Sequence, residues 1–357
     1  MKTVFKRKKI SGILGVLPQS EILFEDEVGN YTFPEKQTLR LKKVMGYEKH
    51  CVVKESTSSS DLCIAGLEYL LSKEMIVKGD IGAIVVISAT PDYFMPNISN
   101  IIQGKMEFSN SVFCIDISQG CVGYLHGLAS AFMLLEHLDN KKVLLFNVDT
   151  LSKKVSKQDR NSYPLIGDAA TITIVENDHK AKDIHFCLYN DGGRRNALII
   201  PAGGSRLPCS PETAIMSDLD NDGNLRSLDN LKMNGTDVFT FVQTEVPPLI
   251  EEILVYSGYN KEEIDWYLFH QPNKFMLKKL AEKIGIPYEK MPMNIVENYG
   301  NPSGASIPIT TVHNLGDSLK DNKYNCCLSA FGSGLTWAAM TMELGEMDFC
   351  EMFVSNL

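Results

Sequence analysis

Apolar residues along this chain form short continuous runs, and these runs alternate with stretches in which apolar residues recur at helical spacing. In the first half, the runs 80–89, 142–149 and 167–175 have the length and the valine and isoleucine content of strands buried on both faces. A helical pattern over 58–72 begins with serines that can cap it. The alternation predicts a mixed or parallel sheet with helices on its faces.

The same order of elements restarts after about residue 180. The patterns predict a helix over 234–256, a strand over 263–270 and late strands over 325–331 and 335–344. A short tail is expected to follow the last of these strands. No repeat is visible residue by residue, so we predict two similar α/β halves from the order of elements alone.

The N-terminus is basic and leads into an apolar segment, which superficially resembles a signal peptide. The segment 10–17 is short, contains two glycines and ends at Pro18 without a small-residue cleavage site. We therefore predict a first strand over 9–16. No run approaches the length of a membrane span, so no membrane association is expected.

Composition and charge narrow the classes of function. The 357 residues are 44% hydrophobic and 22% charged, as in an ordinary globular protein, and the formal net charge is −9. A chain without a basic surplus is a poor candidate for binding nucleic acid. The nine cysteines show no CxxC spacing, which argues against a zinc site or a disulfide framework. Reduced thiols in a cytoplasmic protein are the simplest interpretation.

One corner between a predicted strand and a predicted helix carries the sequence Gly120-Cys121-Val122-Gly123. A cysteine there lies near the unpaired amides of the helix, and we expect those amides and the helix dipole to lower the pKa of its thiol. Nucleophilic cysteines are commonly built in this way. The alternative is that Cys121 is a small core residue.

Three other segments could supply partners for such a nucleophile. His270 ends an apolar strand immediately before a helix, where catalytic groups of α/β sheets collect. Asn301 lies in a turn rich in glycine and proline, where its amide can either bond its own backbone or donate to a bound carbonyl oxygen. The glycine-rich turn 330–336 is either an ordinary hairpin or half of an oxyanion hole.

Together these segments resemble the 3-oxoacyl-acyl-carrier-protein synthase III branch of the thiolase superfamily. The resemblance spans about residues 9–345 and rests on six motifs in the order and spacing of that family. The motifs are the Cys121 corner, Gly167-Asp168-Ala169-Ala170, Met233-Asn234-Gly235, His270-Gln271-Pro272-Asn273, Asn298-Tyr299-Gly300-Asn301-Pro302-Ser303-Gly304 and Phe331-Gly332-Ser333-Gly334-Leu335-Thr336-Trp337.

The resemblance implies an α/β thiolase-like fold, with two similar βαβαβαββ halves, 1–178 and 179–357, packed as five layers in the order αβαβα. It implies that Cys121 carries the acyl group, while His270 and Asn301 bind the thioester carbonyl of a malonyl unit and aid its decarboxylation. The backbone amides of Cys121 and Ser333 would form the oxyanion hole.

The resemblance also implies a homodimer in which the loop before Pro96 crosses to the partner, so that Met95 lines the partner's acyl pocket. From the residues alone, Met95 is as well explained as a flexible core filler. No bound cofactor and no metal are expected, and the substrates would be thioesters of coenzyme A or of acyl-carrier protein.

The chain departs from acetyl-primed members of the family, which carry a tryptophan and an arginine near residues 40–44 that grip the coenzyme A nucleotide. The pattern over 38–45 predicts a short amphipathic helix, and this helix contains no aromatic residue, so acyl-carrier protein could deliver both substrates. Arg40, Lys42, Lys43 and Asn273 are candidates for binding the carrier or its phosphopantetheine. A solvated basic face is the alternative for the three cations.

Two other functions on this scaffold remain open. One is transfer of the acyl group from Cys121 to an alcohol or amine of a sugar or secondary metabolite, and the other is a non-catalytic partner subunit. The chain keeps its cysteine, which argues against the second. A separate motif, the acidic loop 218–229, fits most of a calcium-binding EF-hand loop but lacks its closing glutamate and clear flanking helices.

Overall fold

The structure is a computed structural model that describes residues 1–357. Two large sheets and two short two-stranded sheets contain all of its strands. The strands are β1 (Lys2–Phe5), β2 (Lys8–Pro18), β3 (Glu21–Leu23), β4 (Lys49–Cys51), β5 (Ile81–Ser88), β6 (Phe113–Ser118), β7 (Lys142–Asp149), β8 (Ala169–Asn177), β9 (Ile184–Asn190), β10 (Leu198–Ile199), β11 (Lys232–Met233), β12 (Trp266–Phe269), β13 (Lys323–Gly332), β14 (Thr336–Gly345) and β15 (Phe349–Ser355).

Ten α-helices connect and cover these strands, and several short 3₁₀ turns join them. The helices are α1 (Phe24–Glu27), α2 (Glu35–Leu41), α3 (Ser59–Ser72), α4 (Ile98–Lys105), α5 (Gly123–Leu135), α6 (Gly235–Ser257), α7 (Lys274–Ile284), α8 (Ile295–Tyr299), α9 (Ser306–Leu315) and α10 (Ser318–Asp321). No helix of the chain combines the length and the apolar content needed to cross a membrane.

The two large sheets are both mixed. The first has six strands in the order β15-β2-β8-β7-β5-β6, and the second has five in the order β1-β9-β14-β13-β12. In the first sheet β7, β5 and β6 run parallel, and in the second β12 and β13 do. Parallel neighbours need crossover connections, and these are the helices that the alternating pattern predicted.

The layers stack in the predicted order αβαβα. Helices α3 and α4 cover the outer face of the first sheet, α6 covers the outer face of the second and packs against α7, and α5 and α9 lie between the sheets. The central core, of 34 buried residues, joins apolar side chains of both sheets to those of α5 and α9. The α/β thiolase-like fold class is confirmed.

The chain termini differ from the sequence-based prediction. The supposed tail after residue 344 contains β15, which pairs in parallel with β2 at the edge of the first sheet. The first four-residue strand, β1, pairs with β9 in the second sheet. The boundary proposed at residue 178 falls between β8 and β9, so the two predicted halves exchange their terminal strands. These pairings join segments that are distant in the sequence, and local patterns do not reveal them.

Two local predictions have clear physical outcomes. Helix α3 begins with a capping box, in which the Asp61 carboxylate accepts the Ser58 amide hydrogen at 2.9 Å. The helix predicted over 38–45 is shorter, because α2 ends at Leu41 and continues as a π-helical turn over Lys42–Gly46. Gly46 ends that turn with a φ of 84°, a left-handed conformation that favours glycine.

The acidic loop 218–229 folds around an arginine. The guanidinium of Arg226, whose side chain is 1% exposed, contacts the carboxylates of Asp159, Asp220 and Asp222 at 3.0–3.1 Å. Lys232 also pairs with Asp220. Two of the aspartates that gave this loop its calcium-binding pattern, Asp220 and Asp222, therefore form ion pairs with cations of the chain itself.

Candidate active site

Four loops converge on one cavity of about 640 Å³ between the two halves of the chain. They are the corner between β6 and α5, the end of β12, the segment before α9 and the β13–β14 hairpin. Each contributes one of the predicted site residues: Cys121, His270, Asn301 and Ser333 respectively. Two of these residues follow the carboxyl ends of strands, where ligands of open α/β sheets generally bind.

The Cys121 corner is tight because glycines surround it. The Gly123 amide donates to the Gly120 carbonyl at 2.7 Å, which closes the turn into α5. Gly332 of the β13–β14 hairpin lies directly against the nucleophile candidate, since a Cβ atom there would be 2.6 Å from the Cys121 Cβ. The sequence placed Cys121 at a strand-to-helix corner, and the structure adds that the hairpin packs onto it.

The electrostatic environment of Cys121 differs from the expectation. Burial and the nearby Asp149 carboxylate together raise the pKa of the Cys121 thiol to about 12, although the Ser303 hydroxyl and the local backbone act in the opposite direction. The expectation of a lowered pKa is therefore wrong, and Cys121 is a neutral thiol near pH 7.

His270 is held in its neutral form. Its side chain is buried, and burial lowers the pKa of the imidazole to about 3. Nδ1 lies 2.7 Å from the Ser306 hydroxyl, at the start of α9. The Ser306 oxygen also accepts the Gln271 amide hydrogen at 3.4 Å, so its own hydrogen is available to Nδ1. When the Ser306 hydroxyl donates to Nδ1, the hydrogen of the neutral ring is on Nε2.

Asn301 is fixed at both its backbone and its side chain. Its amide donates to the Leu165 carbonyl at 2.7 Å, and its carbonyl accepts from Gly167 at 3.1 Å. Its Oδ1 accepts the Ser303 amide hydrogen at 2.9 Å, which leaves Nδ2 as a donor without a protein partner. One end of the Asn301 amide therefore bonds the local backbone, as in the first interpretation, and the ligand-binding role of the other end stays a prediction.

Most of the cavity wall is apolar. Of the 31 lining residues 19 are hydrophobic, and they come from the π-helical turn, from β10 and β11, and from the first turns of α6 and α7. Asn273 also lines the cavity, where its side chain caps α7 by accepting the Met276 amide hydrogen at 2.8 Å. A mostly apolar cavity with a small number of polar groups is typical of sites that bind small molecules.

Some predicted residues lie outside this cavity. Met95 is 81% exposed on the loop after β5 and does not line the cavity of its own chain. Arg40 and Lys43 lie on the outer surface of α2 and the π-helical turn. Lys42 pairs with Glu25 and Glu48, so its charge is already compensated.

Sequence reasoning missed three residues that support the site. Ser306 orients His270, and Ser303, with a φ of 51°, contacts both Asn301 and the Cys121 corner. Asp149, at the end of β7, is buried, and burial raises its pKa to about 6. Ser303 stands in the motif that contains Asn301, and Ser306 follows that motif by two residues, but serine is too common in turns to have singled them out.

Comparison with known proteins agrees with this geometry. A sequence profile described as 3-oxoacyl-[acyl-carrier-protein (ACP)] synthase III matches residues 115–192. A second profile, described as the C-terminal part of the same synthase, matches residues 254–344. The first match contains the Cys121 corner and the second contains His270, Asn301 and Ser333.

Individual relatives cover nearly the whole chain. A Campylobacter jejuni protein with the provisional name 3-oxoacyl-[acyl-carrier-protein] synthase 3 is 33% identical over 354 residues, 97% of each chain. A beta-ketoacyl-[acyl-carrier-protein] synthase III of Natranaerobius thermophilus is 32% identical over 84% of this chain and 88% of its own. The crystal structure of a 3-oxoacyl-(acyl-carrier protein) synthase from Burkholderia xenovorans superimposes with a TM-score of 0.91 at 31% identity, covering 99% of both chains.

Proposed function

Because this chain belongs to the 3-oxoacyl-acyl-carrier-protein synthase III family of condensing enzymes, we propose that it joins an acyl group carried on Cys121 to a decarboxylated malonyl unit. The observation that carries the proposal is the convergence of Cys121, His270 and Asn301 on one largely apolar cavity. Each of the three offers a group that the reaction needs: a thiol, a neutral imidazole and a free amide donor.

In the first half-reaction the Cys121 sulfur attacks the carbonyl of an acyl thioester. The new thioester bond forms at Cys121, the bond to the donor's sulfur breaks, and the thiol proton of Cys121 ends on the departing thiol. Burial keeps the pKa of Cys121 high, so the thiolate forms as substrate binds, and its proton passes to the sulfur of the departing thiol.

In the second half-reaction a malonyl thioester enters the same cavity and loses carbon dioxide. The electrons of the breaking carbon–carbon bond form an enolate, whose oxygen accepts hydrogen bonds from His270 Nε2 and Asn301 Nδ2. Donors held in place in an apolar cavity stabilise such developing charge strongly. This role requires the tautomer with hydrogen on Nε2, in which Nδ1 accepts the hydrogen of the Ser306 hydroxyl 2.7 Å away.

The enolate carbon then attacks the acyl carbonyl on Cys121. The backbone amides of Cys121 and Ser333 hold the resulting oxyanion, and collapse of the intermediate releases the β-ketoacyl product. The Cys121 thiolate regains a proton from water, which balances the charge lost with the carboxylate. Only the N–H of residue 333 takes part, so a serine there serves as well as the glycine of familiar family members.

Acyl-carrier protein is the proposed donor of the malonyl unit and a possible donor of the acyl group. Arg40 and Lys43 are exposed beside Val44, which lines both the outer surface groove and the active-site cavity. A basic surface at the cavity mouth suits an acidic carrier protein. Lys42 is a weaker candidate than the other two because its ion pairs already compensate its charge.

We also propose that two chains form a homodimer through the edge strand β6. β6 pairs with β5 alone, and the loop that follows β5 presents Phe94 and Met95 to solvent. Exposed apolar side chains next to a free strand edge mark surfaces that associate. Such a dimer would allow Met95 to line the partner's acyl pocket.

The proposal is tested by intact-mass spectrometry and carbon dioxide release. The protein is exposed to a panel of acyl thioesters and then to malonyl-acyl-carrier protein. We expect one acyl group per chain, followed by carbon dioxide and a β-ketoacyl product. Cys121→Ala should remove the acyl adduct and keep the circular dichroism spectrum. Loading without malonyl decarboxylation would instead indicate acyl transfer to another nucleophile.

A second variant separates the two half-reactions. Asn301→Ala removes a donor to the enolate, so we expect decarboxylation to slow by about 10²–10³-fold while acyl loading persists. Asn298→Ala is the matched control, because Asn298 belongs to the same segment but donates to the Asn294 carbonyl instead. Equal losses in both variants would contradict the role assigned to Asn301.

A further inference from the structure

A buried histidine–glutamate pair lies behind the Asn301 loop and takes no part in the proposed chemistry. His50 Nε2 is 2.9 Å from Glu27 Oε1, and the two side chains are 1% and 2% exposed. The Tyr31 hydroxyl lies 3.5 Å from the other Glu27 oxygen, and the Tyr163 ring packs edge-on against the imidazole. Burying two titratable groups is costly, so a pair of this kind calls for an explanation.

The hydrogen bonds of His50 determine how many protons the pair holds. Nδ1 lies 2.5 Å from the Ile166 carbonyl, which can only accept, so Nδ1 carries a hydrogen. Nε2 then either accepts the hydrogen of a protonated Glu27 carboxyl group or donates its own hydrogen to the Glu27 carboxylate. In both states one proton lies between the two groups. Burial lowers the pKa of His50, but Glu27, the Ile166 carbonyl and the Asp168 charge raise it by more.

The Ile166 carbonyl connects this pair to Asn301. Ile166 and Asn301 face each other in an isolated parallel β-bridge. The two hydrogen bonds of this bridge join Asn301 to Leu165 and to Gly167, the neighbours of Ile166 in the sequence. His50 also contacts the other strand of the bridge directly. A Cβ at Gly300, whose φ is 78°, would lie 2.8 Å from the His50 Cβ.

We infer that the His50–Glu27 pair positions Asn301, by holding the Ile166 carbonyl and packing under Gly300 so that the Asn301 amide keeps its direction into the cavity. Neither His50 nor Glu27 lines the cavity, so both act through Asn301 rather than on substrate. The inference rests on the role proposed for Asn301 in malonyl decarboxylation. It predicts that damage to the pair affects the second half-reaction and spares the first.

Hydrogen exchange at the backbone amides of Asn301 and Gly167 measures how firmly Asn301 is positioned, independently of catalysis. His50→Leu removes the donor to Ile166, so we expect the amides of Asn301 and Gly167 to exchange about fivefold faster or more. Glu27→Gln keeps a donor to Nε2 and should retain their protection. His185→Leu is the matched control, since His185 lies on β9 against Tyr256, away from the bridge.

His50→Leu leaves Glu27 buried without a partner and could fail to fold. In that case the double variant Glu27→Leu, His50→Leu removes the buried charge together with the donor and gives the same comparison. Unchanged exchange at Asn301 and Gly167 in the folded variant would overturn the inference. That result stands whether or not the protein decarboxylates malonyl thioesters, so it is distinct from failure of the proposed function.

The kinetic comparison uses the separate half-reactions. In the folded His50 variant, malonyl decarboxylation should fall by about 10²-fold, because a displacement of about 1 Å in a catalytic group has an effect of that size. The rate of acyl loading on Cys121 should stay within about twofold of the His185→Leu control. Parallel losses in loading and decarboxylation would indicate general destabilisation and would also overturn the inference.

Discussion

At the residue scale, the site is built from groups kept neutral until substrate arrives. Burial raises the pKa of Cys121 to about 12 and lowers that of His270 to about 3, so neither side chain is charged near pH 7. An apolar cavity accepts a thioester more readily than it accepts an ion pair, since isolated buried charges are expensive. In the proposed reaction, the charges therefore form only during catalysis, next to the amide and imidazole donors of the cavity.

This electrostatic arrangement predicts the pH dependence of Cys121 alkylation. Because the thiolate is the reactive form and the pKa is raised to about 12, the iodoacetamide rate should rise about tenfold per pH unit from pH 7 to 10. Peptide mass spectrometry follows the label at residue 121, and Cys121→Ser gives the background. A rate that levels off by pH 8 would show that the helix amides dominate over burial.

The sequence identified which residues of the site carry the chemistry, but it did not predict the burial that sets their pKa values. Cys121, His270, Asn301 and Ser333 stand in motifs, and the structure brings all four to one cavity. Their pKa values depend on burial by residues from both halves, which no local pattern contains. Met95 was assigned from family resemblance, and its predicted partner is a second chain, so its role stays a prediction.

At the scale of elements, the β13–β14 hairpin does more than close the second sheet. It places Gly332 against the nucleophile candidate and Ser333 in the cavity wall. The choice between an ordinary hairpin and an oxyanion element could not be made from its glycines, because both need the same backbone freedom. The structure adds the contact between Gly332 and Cys121, which are more than 200 residues apart in the sequence.

Gly332→Ala tests this contact. A Cβ there would lie 2.6 Å from the Cys121 Cβ and 3.0 Å from its sulfur, so the hairpin or the corner must move. We expect acyl loading to slow by about 10²-fold and stability to fall by about 1–3 kcal/mol. Gly104→Ala in α4 is the control, since nothing lies within 4 Å of the added atom. Loading at the wild-type rate would argue against close packing of the hairpin on Cys121.

The acidic loop 218–229 shows how a motif can mislead at this scale. Its aspartates have nearly the spacing of a calcium loop, yet two of them, Asp220 and Asp222, pair with Arg226, which is buried and also pairs with Asp159. The spacing of acidic residues was visible in the sequence, and so was the arginine. What the sequence did not show is that the loop folds back so that Arg226 lies among its own acidic neighbours.

Removing this arginine should destabilise the fold. Arg226→Met leaves the buried Asp159 carboxylate without its cation, and we expect a loss of about 3–5 kcal/mol in the free energy of unfolding. Asp159→Asn in the same chain should recover part of that loss. Lys232→Met, which breaks a partly exposed pair with the shared Asp220, should cost less than about 1 kcal/mol. Denaturant titration compares the variants, and equal losses for both cations would contradict the buried network.

At the scale of the whole molecule, the terminal strands bind the two halves together. β1 adds to the second sheet and β15 to the first, so each half contributes a strand to the other's sheet. The five layers followed from alternating strands and helices and from family resemblance. The exchange of terminal strands could not be predicted in this way, because the pairing between β15 and β2 joins residues at opposite ends of the chain.

The same scale includes association between chains. β6 ends the first sheet with a free edge, and its first residue, Phe113, is 47% exposed. On the neighbouring loop Tyr93, Phe94 and Met95 are 62%, 85% and 81% exposed. Large apolar side chains concentrated at a free edge are unfavourable in water, and pairing with a second copy would bury them.

We therefore predict a dimer at micromolar concentration that depends on this loop. Phe94→Lys with Met95→Lys puts two charges into the proposed interface, and sedimentation velocity should then show a monomer because unpaired buried charges are strongly unfavourable. Val255→Lys is the matched control, as Val255 is 83% exposed on α6, in the outer layer of the second sheet. A double variant that sediments like the wild type would place the interface elsewhere. If the dimer separates, acyl chain preference should change as well, because Met95 would no longer line the partner's pocket.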